Sequence, residues 1–354
     1  MQSSKNRSTD GRGIVAWALA LCIALVSVTG SACAAEATVR HAGYEYYHVG
    51  DLKADRSAPL EPALLLVGGG QLPRDGVLWW VARAGHGHVV ILRASGADEL
   101  QHEMYAEIGG VASVQTLVFH DRAAASDPQV LDILRYADAI FIAGGDQANY
   151  VRFWKDTPMN QVLDRHVAEG KPIGGTSAGL AILGGYAYGA LDGGSITSAD
   201  ALHDPLGSDV TLVGGFLHLP NMQDVITDTH FNARHRLGRL IAFVANLRHA
   251  GHADVVGLGV DQGSALGVDG RGIGRLFTVD HGYAWLVQPV AGPARIEAGQ
   301  PLDYRGVRVT GVGPRGRLDL RNLTVHHAAF QASADVRNGK LNLRGGPDPT
   351  PPAH

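Results

Sequence analysis

A serine in a glycine-rich turn is the first residue of this chain that could do chemistry. Ser177 is the centre of Gly-Thr-Ser-Ala-Gly, which has the form G-x-S-x-G. The motif follows a predicted strand over residues 171–174 and precedes a helical stretch over residues 180–183, the context that a nucleophilic serine requires. There the N–H of Ala178 would face a developing oxyanion. A glycine-rich turn with an idle serine is the structural alternative.

A serine nucleophile needs a base, and the sequence favours His230 among the seventeen histidines. His230 precedes a predicted amphipathic helix over residues 232–248, which Asn232 could cap. Three arginines follow closely: Arg234, Arg236 and Arg239. Guanidinium groups at a helix start oppose the helix dipole, so their placement favours binding of an anion or a carboxylate. A solvated arginine face is the alternative.

Other polar patterns predict no cofactor. The pairs His86/His88 and His326/His327 lack the spacing of a recognised metal-binding motif. The three glycines at residues 68–70 do not complete a G-x-G-x-x-G pattern, so we expect a loop at the sheet edge. The sequence therefore predicts neither a metal nor an organic cofactor.

Apolar runs that alternate with helical spacing predict an α/β fold. The predicted strands cover residues 63–67, 88–92, 114–119 and 139–143, and the predicted helices cover residues 77–84, 98–108, 128–136, 147–154 and 159–169. Continuous apolar strands between helices indicate an open, mostly parallel sheet with helices on both faces. Glycines at several strand ends fit a site along that edge.

After residue 255 the pattern changes to short strands between Gly, Asp and Pro turns, which predicts hairpins and then a C-terminal β-rich extension. The predicted organisation is a signal peptide (1–34), a loosely structured N-terminal segment (35–60), an α/β catalytic domain (61–292), the extension (293–344) and a disordered tail (345–354).

The first 35 residues have the three parts of a secretory signal peptide: basic residues, an apolar run over residues 14–28, and small residues before a cleavage site near Ala34 or Ala35. We expect an exported protein, periplasmic or extracellular, with no stable membrane insertion after cleavage. An uncleaved anchor and a lipoprotein on Cys33 are alternatives. The only other cysteine, Cys22, lies in the apolar run, so cleavage near these alanines leaves no disulfide.

Composition excludes some classes of protein. Apolar residues make up 45% and charged residues 18%, as in globular proteins, and the net charge of −4 argues against a nucleic-acid binder. Glycine is in excess, with 47 of 354 residues. The sequence does not fix the oligomeric state, and a homodimer remains open.

Three ordered motifs resemble the cyanophycinases and their relatives, the S51 serine peptidases, which include aspartyl dipeptidases. The motifs are Gly144-Gly145-Asp146-Gln147, Gly174-Gly175-Thr176-Ser177-Ala178-Gly179 and Asp228-x-His230-Phe231-x-x-Arg234-x-Arg236-x-x-Arg239-Leu240. The resemblance covers residues 63–268, with the motifs in the family order.

The resemblance implies a fold related to class I glutamine amidotransferases, with serine in place of their cysteine. It implies Ser177 as nucleophile, His230 as general base, and an oxyanion hole from the backbone at Ala178 and Gly145. The residues implied in the substrate pocket are Gln147, Asp228, Arg234, Arg236 and Arg239. Its implied substrate is a peptide: family members cut the poly-aspartate backbone of cyanophycin, which carries arginine on each β-carboxyl.

The chain departs from the family pattern near the base. Thr229 stands where cyanophycinases commonly have glutamine, and Gln262 stands where the family has the glutamate of the triad. A glutamine carbonyl can orient an imidazole, but it cannot stabilise an imidazolium by charge. Asp192 lies in a stretch where family members have had a triad acid assigned, while Asp261 should face the other way on a strand. Asp192 and Gln262 are therefore alternative third members.

The sequence thus favours an exported serine peptidase that cuts cyanophycin or related aspartyl peptides. The alternatives are an aspartyl dipeptidase and a catalytically weakened member that binds such peptides. An unrelated α/β-hydrolase would place its acid and then its histidine after the serine, near the C-terminus, which the motif order disfavours.

Overall fold

A computed structural model describes residues 39–347, which lie in one compact unit. The predicted signal peptide (1–34) and residues 348–354 of the predicted tail lie outside the described residues.

The described residues form nineteen strands in two sheets. The strands are β1 (Val39–His41), β2 (Tyr44–Gly50), β3 (Ala63–Val67), β4 (His88–Arg93), β5 (Ser113–Phe119), β6 (Ala139–Ile142), β7 (Ile173–Thr176), β8 (Tyr186–Tyr188), β9 (Leu212–Gly214), β10 (Val225–Asp228), β11 (Val256–Val260), β12 (Ser264–Asp269), β13 (Ile273–Thr278), β14 (Ala284–Pro289), β15 (Tyr304–Val312), β16 (Arg317–Asp319), β17 (Thr324–His326), β18 (Phe330–Arg337) and β19 (Lys340–Arg344).

Eight α-helices accompany these strands in the described part of the chain, together with a π-helical turn over Glu103–Ile108 and a 3-10 turn over Ala123–Ser126. The helices are α1 (Arg74–Arg83), α2 (Glu99–His102), α3 (Pro128–Tyr136), α4 (Gln147–Trp154), α5 (Pro158–Ala168), α6 (Ala178–Ala181), α7 (Ser198–His203) and α8 (Leu237–His249).

The first sheet has the order β1-β2-β5-β4-β6-β7-β3-β12-β13-β16-β17. Its centre, β5-β4-β6-β7-β3, is parallel, and antiparallel strands extend both sides. Side chains of β3 alternate between two apolar cores: Leu64 and Leu66 pack with helices α3 to α5, whereas Leu65 and Val67 pack with α1. The α/β class with helices on both faces is confirmed, although the sheet is mixed rather than mostly parallel.

The second sheet, β19-β18-β15-β14-β11-β10-β8-β9, is not anticipated by the sequence. Its β8, β9 and β10 have only three or four residues each, too few to give a periodic pattern. The predicted C-terminal β-rich region is present: β15, β18 and β19 continue this second sheet, whereas β16 and β17 continue the first.

Two expectations about local structure are wrong. The segment before residue 60 is not loosely structured throughout, because β2 pairs with β5 over seven residues and buries Tyr44 and Tyr47. Helix α8 begins at Leu237 rather than at Asn232. The intervening residues form turns, and the φ of 49° at His235 is one that α-helical backbone does not allow.

Candidate active site

Ser177 lies in a strained turn between β7 and α6. Its φ of 53° and ψ of −118° are unusual for a residue with a side chain. Its backbone N–H donates to the carbonyl of Val67 at the end of β3, 3.1 Å away. A side chain at Gly179 would overlap the carbonyl of Ile142, so glycine is required where the helix passes this close to β6. The turn leaves Ser177 partly accessible while its neighbours are buried.

His230 faces Ser177 from the end of β10. Its Nε2 lies 2.8 Å from Ser177 Oγ, and its backbone N–H donates to Gly68 at 2.6 Å. A side chain at Gly69 would overlap the imidazole ring, so the glycine loop after β3 forms the wall against which the ring packs. The structure thus brings the predicted nucleophile and the predicted base into hydrogen-bond contact.

Of the two candidate third members, Gln262 is the one that contacts His230. Strands β10 and β11 are parallel neighbours, so the residues that follow them emerge at the same edge. Gln262 Oε1 lies 2.8 Å from His230 Nδ1. The amide oxygen can only accept, so His230 Nδ1 carries the hydrogen and Nε2 is free to accept the Ser177 proton. Asp192 makes no contact with His230; it is an exposed residue of the loop after β8.

Asp261 faces away from His230, as its strand position predicts, and ties the surrounding loops together. Its carboxylate is 1% exposed and accepts hydrogen bonds from the N–H of Asn232 (3.1 Å), the N–H of Tyr283 (2.8 Å) and Nε1 of Trp285 (2.8 Å). Asn232 Oδ1 in turn accepts from the backbone N–H of Gln262 at 3.2 Å. Burial raises the pKa of Asp261 to about 6 despite these three donors.

The surroundings of His230 keep its imidazole neutral. Burial lowers the pKa of His230 below its usual 6.5, and the nearby Arg234 and Arg236 lower it further. The hydrogen bond that His230 donates to Gln262 and the charge of Asp228 raise the pKa and so act in the opposite direction. At neutral pH the ring is therefore unprotonated, as a general base must be.

Two of the three predicted substrate-binding arginines, Arg236 and Arg239, make hydrogen bonds within the protein. Asp228 is 2% exposed, and Arg239 Nε donates to it at 2.8 Å. Arg236 NH1 donates to the Thr229 carbonyl at 2.8 Å, and Arg239 NH1 donates to Ser195 Oγ at 2.8 Å. These bonds fasten the turn before α8 to β10 and to the loop before α7. The guanidinium group of Arg239 is therefore bonded within the protein and does not line the cavity beside Ser177. Arg236 is also buried, but it forms part of the cavity wall.

Arg234 is the exposed arginine at the opening beside Ser177. The cavity has a volume of about 260 Å³ and a mostly polar wall. Its lining consists of Gly145, Asp146, Gln147, Ser177, Ala178, Ala190, Gly193, Gly194, Ser195, Thr229, Arg234 and Arg236. The predicted oxyanion residues Gly145 and Ala178 and the predicted Gln147 thus line the same space as Ser177. Their catalytic roles remain predictions.

Three further residues of the site are not predicted from the sequence as site residues. Thr229 accepts from Arg236 at 3.0 Å, Ser195 binds Arg239, and Asn232 supports Gln262. The sequence predicts Asn232 only as a helix cap. Ser195, distant along the chain, carries no local pattern that would reveal its part in the site.

No cluster of three or more histidine, cysteine or acidic residues suited to a metal ion occurs within residues 39–347. Likewise, no helix in this range is long and apolar enough to cross a membrane.

Fold and site together define an α/β protein with a serine–histidine pair at the strand ends of its sheets. Residues 101–274 match the model of peptidase family S51. The cyanophycinase of Synechococcus elongatus is 32% identical over 233 residues, which cover 64% of this chain and 66% of that protein. The cyanophycinase of Trichormus variabilis is 28% identical over 230 residues, covering 64% and 71%.

Two solved structures also resemble the chain. A peptidase from an acI-B1 actinobacterium is 18% identical with a TM-score of 0.45, covering 63% of this chain and 90% of that one. A putative peptidase E protein from Listeria monocytogenes is 17% identical with a TM-score of 0.39, covering 62% of this chain and 100% of that one.

Proposed function

We propose that this protein is a serine peptidase of the cyanophycinase type, which hydrolyses cyanophycin or related aspartyl peptides through an acyl-enzyme on Ser177. The observation that carries the proposal is the 2.8 Å contact between Ser177 Oγ and His230 Nε2 at a strained strand-to-helix turn. The match to the model of family S51 and the relatives named cyanophycinase support the substrate class.

The proposed reaction uses the neutral form of His230. The imidazole takes the Ser177 proton as Oγ attacks the peptide carbonyl, and it then protonates the leaving amine. Backbone N–H groups at Ala178 and Gly145 stabilise the oxyanion. Arg234 at the cavity opening pairs with a carboxylate of the aspartyl substrate.

Labelling with a fluorophosphonate tests the nucleophile. We expect the wild-type protein to be labelled at Ser177 and Ser177→Ala to remain unlabelled. Ser208→Ala, which changes an exposed serine whose Oγ donates to the neighbouring Asp209, should label like the wild type. Absence of label on the wild type under conditions that label an active relative would contradict the proposal.

Product analysis tests the substrate. Release of β-aspartyl-arginine from cyanophycin supports a cyanophycinase, whereas release of free aspartate from dipeptides supports an aspartyl dipeptidase. Neither product, despite labelling of Ser177, would reject both substrates.

A second candidate is a member that binds such peptides without cutting them. Gln262 favours it, because a neutral amide contacts His230 where a carboxylate would stabilise the imidazolium. Saturable binding of cyanophycin fragments without labelling or product would support this candidate.

We further propose that the protein is exported. The signal-peptide pattern over residues 1–34 supports this. Expression of the full chain in its host, followed by fractionation and N-terminal sequencing, should give a protein outside the cytoplasm that begins near Ala35. A cytoplasmic protein that retains Met1 would overturn it.

A further inference from the structure

A second charged cavity lies at the other end of β3 from the candidate active site. Strand β12 runs antiparallel to β3 and places Asp269 beside Ala63, the first residue of β3. The glycine loop that contacts His230 follows Val67, the last residue of β3. At a rise of roughly 3.3 Å per residue, the two ends are roughly 13 Å apart along the strand. This cavity and that of Ser177 share no lining residue.

Arginines from four places in the chain line this cavity, whose volume is about 200 Å³. They are Arg83 at the end of α1, Arg271 in the turn after β12, Arg275 in β13 and Arg317 at the start of β16. We call these residues the arginine cluster.

Two members of the arginine cluster have carboxylate partners. Arg271 donates to Asp269 at 2.8 Å, and Arg83 lies 3.8 Å from the exposed Glu61. The first pair closes the turn between β12 and β13, while the second is a loose surface contact of small energetic value.

The other two members have none. Within residues 39–347, no carboxylate lies within 4.0 Å of a guanidinium nitrogen of Arg275 or Arg317. The antiparallel register that pairs Gly274 with Leu318 brings Arg275 opposite Arg317 one residue further along. Like charges directly opposite each other destabilise a sheet. Because neither arginine has a carboxylate partner, the pair leaves two uncompensated positive charges at the cavity.

Arg275 also carries an unmet hydrogen-bond donor. Its Nε is buried and has no hydrogen-bond partner among the described residues. Partial burial and the charges of Arg83 and Arg317 lower the pKa of Arg275 below its usual value. A buried donor without a partner is costly, and an anion in the cavity would supply both the acceptor and the countercharge.

Trp79 holds the guanidinium groups in place. The Arg83 guanidinium lies 4.1 Å and that of Arg275 5.4 Å from the centre of the indole ring. The ring covers Gly267 of β12, where an added Cβ would lie only 2.6 Å from it. Such stacking restricts guanidinium orientation, which lowers the entropic cost of binding a ligand.

We propose that the arginine cluster binds a small dianion with two oxyanion groups or one doubly charged group, as in a dicarboxylate or a phosphate. Guanidinium groups bind both kinds of oxyanion in a bidentate manner, and two uncompensated charges match a dianion. The site is distinct from the cavity at Ser177, so its occupancy does not require the proposed peptidase activity.

Isothermal titration calorimetry on the whole protein, at constant ionic strength set with NaCl, tests this site. The probes are inorganic phosphate and succinate at pH 7.5. We expect saturable binding of at least one probe to the wild type, and the tighter probe identifies the source of the anion. Arg317→Gln should weaken binding by about 10-fold or more. Arg308→Gln, an exposed arginine in β15 of the other sheet, should change it less than twofold.

Arg275→Gln is a second variant that keeps the test valid if Arg317→Gln fails to fold. Arg275 packs on Trp79 and lies 4.6 Å from the ring centre of Phe277, so Arg275→Gln is compared with Arg317→Gln by thermal melting before titration. Loss of binding in either folded variant supports the proposal. Equal affinities in wild type, Arg317→Gln, Arg275→Gln and Arg308→Gln would overturn it. So would a wild type that binds neither probe at millimolar concentration.

Discussion

At the level of single residues, the structure decides which side chain contacts His230 Nδ1. The order of the motifs predicts a nucleophile and a base, and in the structure Ser177 Oγ lies 2.8 Å from His230 Nε2. The choice between Asp192 and Gln262 depends on which strand ends meet, and β11 brings Gln262 to His230. The same limit explains the arginines: their types are evident in the sequence, but the buried partner Asp228 is not.

Replacement of Gln262 by glutamate tests the cost of the neutral amide. A carboxylate at 2.8 Å would stabilise the imidazolium, so Gln262→Glu should raise the pKa of His230 and increase kcat by about 10-fold or more. In the wild type the pKa of His230 is lowered, so kcat/KM should fall with acid only below pH 6.5. In the variant this acid limb should move to higher pH. An unchanged pH profile would show that the partner does not control the base.

Asp261 should act on catalysis through Asn232 and Gln262. In Asp261→Asn, an NH2 group replaces one acceptor oxygen, so either the N–H of Tyr283 or the two donors on Asn232 and Trp285 lose their acceptor. We expect kcat to fall by about 10-fold with KM within twofold, since the cavity at Ser177 is untouched. The control is Asp280→Asn, an exposed carboxylate near the same loop. Equal kinetics in the two variants would exclude this positioning effect.

At the level of elements, the site is made by loops that follow strands of two different sheets. The loop after β3 supplies Gly69, β7 leads into Ser177, and β10 and β11 lead into His230 and Gln262. The sequence predicts β3 from an apolar run, and it predicts β7 and β11 as short strands. It misses β10, which is four residues long, and it starts α8 too early because backbone turns with positive φ leave no periodic signal.

The glycine wall behind His230 gives a prediction for these loops. Gly69 has a φ of 99°, and a side chain there would overlap the imidazole. Gly69→Ala should therefore displace His230 and reduce the labelling rate of Ser177 by about 100-fold, the order expected for misplaced catalytic groups. Gly292→Ala, at a position with open space, should label at the wild-type rate. Normal labelling of Gly69→Ala would show that the loop after β3 can shift to accept a side chain without displacing His230, which would contradict the prediction.

At the level of the whole molecule, the C-terminal extension is part of the second sheet. Strand β15 pairs with β14 over six residues and with β18 on its other side. Its Val309 is fully buried with α8, whereas the adjacent Arg308 is exposed. Sequence alone predicts the β-rich character of this region, but it does not show that the extension shares a core with the helix after His230.

The shared core predicts a contrast between adjacent residues of β15. Val309→Asp should lower the free energy of unfolding by about 3 kcal/mol or more, because it buries an unpaired carboxylate. Arg308→Asp should change it by less than about 0.5 kcal/mol. Urea denaturation measures both, and similar values would place β15 outside the core.

Acid sensitivity is a further property of the folded whole. Burial lowers the pKa of His166 to about 4, while its Nε2 contacts the Pro172 carbonyl at 3.0 Å. The folded state resists protonation, so this stabilisation is complete above the unfolded pKa of about 6.5 and is lost as the pH falls through about 4. Between pH 7 and pH 4, wild type should lose about 3 kcal/mol more unfolding free energy than His166→Gln. His249→Gln, an exposed control, should behave like the wild type.

The sequence by itself determined the α/β class, the nucleophile turn, the candidate base and the motif order that indicates family S51. Those properties are local, because apolar runs, glycine turns and short motifs act through neighbours in the chain. Only the tertiary structure decided the partner of His230, the burial of Asp228 with Arg239, the second sheet and the arginine cluster. Each of these brings together residues from separate strands, and strand order depends on the packing of the whole chain rather than on any one segment.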